Sequence, residues 1–200
     1  MKNRDIVVIG ASAGGIEATQ HLLSLLPADL DASLFIVIHL APDAPSYLSR
    51  IFSRVSRLSV STAINDEAIQ KSHVYVAPAD WHMLLSEGVI KLGDGPLENR
   101  SRPSVDALFR TAAFSYSERV IGIVLSGALS DGTAGLTTIK SRGGVAIVQL
   151  PEEASFTGMP KSAIESADVD FVLPIAEIAQ KIVELVSGVI GGSNEPKCIA

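Results

Sequence analysis

The chain is poor in cysteine and in aromatic residues, and each shortage excludes a class of protein. Its 200 residues include one cysteine, Cys198, so no intramolecular disulfide framework can hold the fold. A chain of this length buries enough apolar surface to fold without disulfides or a structural metal. Aromatic residues make up 5% of the chain, yet 47% of all residues are hydrophobic, which excludes a disordered chain. We expect one soluble domain in a reducing compartment.

Long hydrophobic runs and an excess of basic residues are also missing. The apolar runs at 6–9, 34–38 and 120–125 are far shorter than the about 20 residues that a membrane-spanning helix requires. The first residues lead into the first run without a signal-peptide pattern. Lys and Arg number 16 against 22 Asp and Glu, and the net charge of −6 argues against general nucleic-acid binding. The sequence predicts a cytoplasmic protein with neither membrane insertion nor a nucleic-acid partner.

Short runs made up only of apolar residues alternate with stretches in which apolar residues recur with helical periodicity. Solid runs are typical of parallel strands that are covered on both faces. The predicted strands cover residues 6–9, 34–38, 74–77, 120–125, 145–148 and 169–173. A hairpin over 83–85 and 89–92 is inserted into the series, so a mixed sheet is expected. The sequence predicts a single-domain, doubly wound α/β fold with a mainly parallel sheet and helices on both faces.

Helical periodicity follows most of these runs. The predicted helices cover about residues 16–26, 47–55 behind Pro45, 105–113, a stretch just after Asp131, a stretch near Pro160, and 175–187 with Gly188 as its cap. No repeat, low-complexity tract or interdomain linker interrupts the series. One domain is therefore expected over 1–188, followed by a polar tail over 189–200.

A glycine-rich turn over 10–15 follows the first strand and opens the first helix. Three interpretations compete. The turn can bind a phosphate, although its spacing is not that of a dinucleotide site. It can hold Ser12 as a nucleophile on a sharp strand-to-helix turn, or Ser12 can simply be the helix N-cap. An ordinary α/β-hydrolase has several strands before its nucleophile, so that fold is not expected here.

A serine nucleophile needs a base and a group that orients the base. Among four histidines, His39 ends a predicted strand at the carboxyl edge of the sheet, where open α/β folds place their chemistry. His21 is predicted to lie at the surface or in a half-buried structural position, His73 is predicted to be exposed, and His82 either faces the site or is structural. Asp131 follows another predicted strand, and it is either the acid that orients the base or a helix N-cap. The order Ser, His, Asp is allowed, because the triad recurs on unrelated folds.

Six stretches are distinctive: IGASAGG at 9–15, IHLAP at 38–42, VAPADWHM at 76–83, ENRSRPSVD at 98–106, LSGALSDG at 125–132 and EASFTGMP at 153–160. Together they extend over nearly the whole chain. A chain that carries all of them resembles the catalytic domain of the chemotaxis protein-glutamate methylesterases, the CheB family.

The resemblance implies that Ser12 is the nucleophile, His39 the base and Asp131 the acid that orients it. It further implies hydrolysis of γ-glutamyl methyl esters on the cytoplasmic helical bundle of chemoreceptors, with methanol leaving and no cofactor or metal. Many members also deamidate receptor glutamines. The family pattern assigns the oxyanion to backbone N–H groups of Ala13 and Ala128, where threonine and methionine are usual.

Family members typically carry an N-terminal receiver domain, for which this chain has no room. Regulation by a covalently attached receiver is therefore not expected, and a separate response-regulator protein is a candidate partner. Two competing functions stay open, namely a serine esterase of the same fold with another substrate and a catalytically silent module that binds receptors or signalling proteins. Arginines at 50, 54, 57, 100 and 102 are either docking groups for an acidic receptor or a solvated surface.

Overall fold

Nine strands are present in the computed structural model of the protein, which describes residues 4–39 and 47–188. They are β1 Ile6–Ala11, β2 Ser33–Ile38, β3 Ser59–Thr62, β4 His73–Val76, β5 His82–Ser86, β6 Val89–Gly93, β7 Val120–Val124, β8 Val145–Gln149 and β9 Phe171–Leu173. Seven of these strands form one parallel sheet in the order β3-β4-β2-β1-β7-β8-β9.

The order of strands reverses at β1. β1 pairs with β2 on one side, where Ala11 lies opposite Ile38, and with β7 on the other, where Gly10 lies opposite Val124. In open α/β sheets the loops beyond the carboxyl ends of the strands diverge at such a point and leave a crevice. The topology therefore positions a site beyond the ends of β1, β2 and β7.

Within the described parts of the chain, six α-helices cover the sheet: α1 Gly15–Leu25, α2 Leu48–Phe52, α3 Val105–Tyr116, α4 Thr133–Ser141, α5 Gly158–Ser166 and α6 Ile175–Ser187. Side chains alternate across β1, so that Val7 and Ile9 join a core with α1, α2 and α6, whereas Ile6 and Val8 join a core with α3, α4 and α5. Burial on both faces explains the solidly apolar runs. The predicted doubly wound α/β fold is confirmed.

The hairpin of β5 and β6 forms a separate two-stranded sheet, so the expectation of a mixed sheet is wrong. The outer backbone groups of β5 bind side chains of α3, whereas Ile90 of β6 exchanges backbone hydrogen bonds with Asp66 and Glu67. Leu85 N–H donates to Thr111 Oγ1 at 3.1 Å, and Ser115 Oγ donates to the Leu85 carbonyl oxygen at 2.9 Å.

Two further elements differ from prediction. β3 was not expected, because only Val60 in the segment Ser59–Thr62 is apolar and the strand lies at the edge of the sheet. α2 has five residues and is shorter than the predicted 47–55. Gly188 ends α6 with φ +66°, which confirms its predicted role as a cap.

Several predictions concern parts of the chain outside the described residues, namely Pro45, the tail over 189–200 and Cys198. The domain boundary at 188 stays a prediction. Within residues 4–39 and 47–188, no helix is long and apolar enough to cross a membrane.

Candidate active site

The turn after β1 places Ser12 at the carboxyl edge of the sheet. The Ser12 N–H donates to the carbonyl oxygen of Ser126, which follows β7, at 3.0 Å. Gly14 has φ +70°, and a Cβ there would lie 2.8 Å from Ser126 Oγ, so this position of the turn requires glycine. α1 begins at Gly15 with Gly14 as its N-cap residue. The interpretation of Ser12 as the helix N-cap is therefore wrong.

His39 lies next to this turn, directly after β2. Its N–H donates to the carbonyl oxygen of Ala11 at 3.3 Å, and its Nε2 lies 2.7 Å from Asp131 Oδ2. The His39 side chain is 18% exposed and that of Asp131 3%, so only the histidine is open to solvent. The structure thus brings together two predicted site residues that are far apart in sequence.

Asp131 is buried against the N-terminus of α3. Its Oδ2 accepts a hydrogen bond from the Val105 N–H at 2.8 Å, and its Oδ1 accepts from the Asp106 N–H at 3.0 Å and from Ser104 Oγ at 2.9 Å. A helix N-terminus offers unpaired N–H groups and favours negative charge. α4 has Gly132 as its N-cap residue, so the predicted N-cap role of Asp131 in the following helix is wrong.

Asn99 joins Asp131 to a second buried carboxylate. Its Nδ2 donates to Asp131 Oδ1 and to Asp106 Oδ2, each at 2.7 Å. Asp106 Oδ1 also accepts the Gly135 N–H at 2.6 Å. The amide therefore separates two carboxylates that would otherwise repel each other.

The two carboxylates have opposite pKa shifts. Burial by itself would raise the pKa of Asp131, but hydrogen bonds from His39, from the backbone of Val105 and Asp106, and from Asn99 outweigh burial and lower it. Burial raises the pKa of Asp106, and the nearby charge of Asp131 raises it further. The hydrogen bond from the Gly135 N–H lowers this pKa but does not outweigh the two other effects. The site therefore favours the ionised form of Asp131 more than that of Asp106.

The contact with Asp131 determines the tautomer of neutral His39. An ionised carboxylate only accepts hydrogen bonds, so Nε2 carries the proton and Nδ1 keeps its lone pair. Ser12 and His39 both line a cleft of about 510 Å³, together with Arg100 and Leu129 among others. Nδ1 is thus the ring nitrogen that can accept a hydrogen bond from a hydroxyl group in the cleft.

Two backbone N–H groups, those of Ala13 and Ala128, lie at the same edge of the sheet. Among residues 4–39 and 47–188, no group accepts a hydrogen bond from the N–H of Ala13 or of Ala128. Ser126 Oγ holds the first of these segments by donating to the Ala13 carbonyl oxygen at 2.8 Å. Ala128 is exposed and lines the cleft. Donors of this kind can stabilise an oxyanion.

Sequence reasoning missed the residues that surround Asp131. Asn99, Ser104 and Asp106 belong to a segment that the family resemblance includes, but no role followed from their spacing. The sequence contained part of the signal for this cluster, because several polar residues precede and begin the predicted third helix. Their partner, Asp131, lies too far along the chain for a local pattern to reveal it.

His82 has a structural role, one of the two that the sequence allowed. It is 4% exposed, and its Nδ1 accepts the Ser104 N–H at 3.2 Å, so its Nε2 donates to the Pro96 carbonyl oxygen at 3.0 Å. His82 thus holds the segment that carries Asn99. His73 is half-buried and within hydrogen-bonding distance of Ser61 Oγ, so its predicted surface position is wrong.

The arginines fall into two groups. Arg102 is bound within the fold, to Asp80 Oδ1 at 2.7 Å and to the carbonyl oxygens of Asp94 and Gly95, so its predicted role in docking is wrong. Arg100 lines the cleft, while Arg50 and Arg54 lie on the surface around α2. Across the described ranges, no group of three His, Cys, Asp or Glu side chains is arranged to hold a metal ion.

At the carboxyl edge of this doubly wound sheet, a serine, a histidine and a buried aspartate thus lie at one cleft, which is an arrangement that a hydrolase can use. The family model "CheB methylesterase" matches residues 7–182. The chain belongs to the CheB methylesterase family, and the prediction of this family from sequence is confirmed.

Individual proteins agree with this assignment. A Leptospira interrogans protein, named provisionally as a protein-glutamate methylesterase/protein-glutamine glutaminase, is 39% identical over 92% of this chain and 95% of its own length. The Chromohalobacter salexigens protein-glutamate methylesterase/protein-glutamine glutaminase is 37% identical over 89% of this chain but 51% of its own length. The chain thus spans about half of some relatives. The crystal structure of the Thermotoga maritima CheB methylesterase catalytic domain matches with a TM-score of 0.87 and 34% identity, over 93% of this chain and 100% of that one.

Proposed function

We propose that this protein is a cytoplasmic serine hydrolase that removes methyl groups from γ-glutamyl methyl esters of chemoreceptors, with Ser12, His39 and Asp131 as a catalytic triad. The observation that carries the proposal is the 2.7 Å contact between His39 Nε2 and the buried Asp131, at the cleft that Ser12 also lines. The names of the relatives support the substrate, because they are protein-glutamate methylesterases.

In the first half-reaction, His39 Nδ1 accepts the proton of Ser12 Oγ, and Oγ forms a bond to the ester carbonyl carbon. The negative charge moves to the carbonyl oxygen, where the N–H groups of Ala13 and Ala128 stabilise it. The bond to the methoxy group then breaks, and the methoxy oxygen takes the proton from His39 and leaves as methanol. Asp131 stabilises the positively charged imidazole ring between these proton transfers.

In the second half-reaction, water gives a proton to His39 Nδ1 and its oxygen forms a bond to the carbonyl carbon of the glutamyl-serine ester. The bond from that carbon to Ser12 Oγ then breaks, Oγ takes the proton back from His39, and the glutamate side chain is released. Each oxyanion donor contributes about 3 kcal/mol to lowering the barrier. The same site acts on a glutamine side chain when ammonia takes the place of methanol as the leaving group. The relatives named above carry both activities in their names.

The test is methanol release from methylated receptor, with and without a candidate response regulator. Ser12→Ala should lower the rate by about 10³-fold or more, because the nucleophile is lost. Ser141→Ala is a matched control, since Ser141 is an exposed serine at the end of α4. A Ser12→Ala protein that is as active as the parent would contradict the mechanism.

A serine-reactive phosphonate distinguishes the competing functions. The parent protein should be labelled once, at Ser12, and Ser12→Ala should not be labelled. Labelling together with turnover of small esters, but not of methylated receptor, would indicate an esterase with another substrate. Absence of labelling and of turnover would indicate a binding module.

A further inference from the structure

Leu129 combines two unusual features at the edge of the cleft. Its φ is +64°, a left-handed conformation that a residue with a bulky side chain rarely adopts. Its side chain is 70% exposed, more than any other large hydrophobic side chain among residues 4–39 and 47–188. A strained backbone thus presents an apolar side chain to solvent, next to Ala128 and two residues before Asp131.

The segments on both sides of Leu129 are held in place. On one side, the Gly127 N–H donates to the Phe156 carbonyl oxygen at 3.0 Å, and the Met159 N–H donates to the Gly127 carbonyl oxygen at 2.9 Å. On the other side, Asp131 is buried and tied to α3. The conformation of Leu129 therefore follows from two fixed neighbours, and its side chain lines the cleft with Ser12 and His39.

The other side chains that line the cleft are mostly polar or small. They are those of Ser12, His39, Asn99, Arg100, Ser101, Ala128, Ser130 and Asp131. Leu129 is the one large apolar side chain in this set, so among the described residues that line the cleft it is the one against which a substrate can bury a large apolar side chain. Burying such surface stabilises a complex, whereas leaving it in water does not.

A helical substrate has a particular arrangement of neighbours. Residues three and four positions from the glutamyl ester lie on the same face of the helix, about 5–6 Å away between Cβ atoms. When the ester reaches Ser12, these neighbours lie over the rim of the cleft. We infer that Leu129 is a specificity-determining residue, which selects glutamyl esters that have an apolar side chain three or four residues away on a helix. This inference rests on the proposed function and adds the sequence context of the substrate.

The experiment uses two helical peptides that carry one glutamyl methyl ester. In one peptide, leucine occupies the positions three and four residues to either side, and in the other, glutamine does, because both residues have similar helix propensity. The parent protein should prefer the leucine peptide by about tenfold in kcat/KM, mainly through a lower KM, as partial burial of one leucine predicts. Leu129→Gly should lose this preference, and Leu129→Met should keep it.

Two further variants separate specificity from folding. Glycine and asparagine both tolerate the left-handed conformation, so neither Leu129→Gly nor Leu129→Asn should lower the melting temperature. Leu129→Asn should lose the preference because its side chain is polar. Ile64→Ser is the control for an exposed apolar residue outside the cleft, since Ile64 is 65% exposed, and it should keep the preference.

The outcomes are distinguishable. If the parent hydrolyses the peptides but Leu129→Gly retains the leucine preference, or slows both peptides equally, the role of Leu129 is refuted and the proposed function stands. If the parent hydrolyses neither peptide nor methylated receptor, both the proposed function and the role of Leu129 are refuted.

Discussion

Asp131 serves the fold and the site with the same two oxygen atoms. It accepts hydrogen bonds from two backbone N–H groups of α3, from Asn99, from Ser104 and from His39. This is more than the orientation of one imidazole ring requires. If Asp131 acts as proposed, we expect its replacement to affect both activity and stability.

Asp131→Asn should lower kcat by about 10³-fold or more and the free energy of unfolding by about 1–3 kcal/mol. An amide in this position places N–H donors against the N–H donors of Val105 or Asp106, and one buried donor loses its acceptor. Methanol release and denaturant unfolding measure the two effects. Asn99→Ala removes one donor and leaves the backbone donors, so it should lower kcat by only about tenfold. A fully stable Asp131→Asn protein would show that the contacts with α3 contribute little.

At the scale of elements, the position of α3 over β1 determines where Asp131 is held. A Cβ on Gly10 would lie 2.2 Å from Cγ1 of Val105, the first residue of α3. The helix N-terminus thus approaches the central strand as closely as a glycine allows. The N–H groups that bind Asp131 depend on this approach.

Gly10→Ala should displace α3, lower the free energy of unfolding by about 1–3 kcal/mol and lower kcat. The three nearest atoms to the added methyl group all belong to Val105. The double variant Gly10→Ala/Val105→Ala should therefore recover part of the stability and activity that Gly10→Ala loses. A double-mutant cycle on unfolding measures the coupling, and simple additivity would contradict a direct clash between the two residues.

Much of the element pattern was predictable from sequence, because strands with both faces buried are solidly apolar. β1, β2, β7 and β8 were found for this reason, and so was the carboxyl edge where Ser12 and His39 lie. β3 was missed because an edge strand needs little apolar surface. The cluster around Asp131 was missed because its members come from α3 and from the segment with Asn99, and pairing over such distances is a property of the folded chain.

Three non-glycine residues with a left-handed backbone conformation were also not predicted. Asn99, Arg100 and Leu129 have φ of +50°, +65° and +64°, and all three line the cleft. The left-handed region is costly for arginine and leucine, and asparagine tolerates it but does not require it, so the local sequence does not predict this conformation. Their conformation comes from the surrounding structure, and strain of this kind is typical of functional sites.

For the molecule as a whole, the two buried carboxylates make opposite contributions to stability as pH changes. The pKa of Asp131 is lowered in the folded protein, so its contribution is present above the unfolded pKa of about 4 and is lost as pH falls through the folded pKa. The pKa of Asp106 is raised, so its contribution is present below about 4 and is lost as pH rises through the folded pKa.

Unfolding measured from pH 3 to pH 7 tests this opposition. The loss of stability on Asp131→Asn should grow as pH rises, whereas the loss on Asp106→Asn should shrink, because each variant removes one of the two titrations. Each variant is the control for the other, since both replace a buried aspartate in the same cluster. Slopes of the same sign would contradict the assignment of the charge to Asp131.

The strand order determines when, during synthesis on the ribosome, the parts of the site become available. β1 is synthesised more than 100 residues before its partner β7 and the aspartate that follows β7. Until then a nascent chain has its serine and histidine but no carboxylate to polarise the ring. Under the proposed mechanism, chemistry at the serine must therefore wait until β7 and Asp131 have been synthesised, and every truncated product that ends before β7 lacks the assembled site.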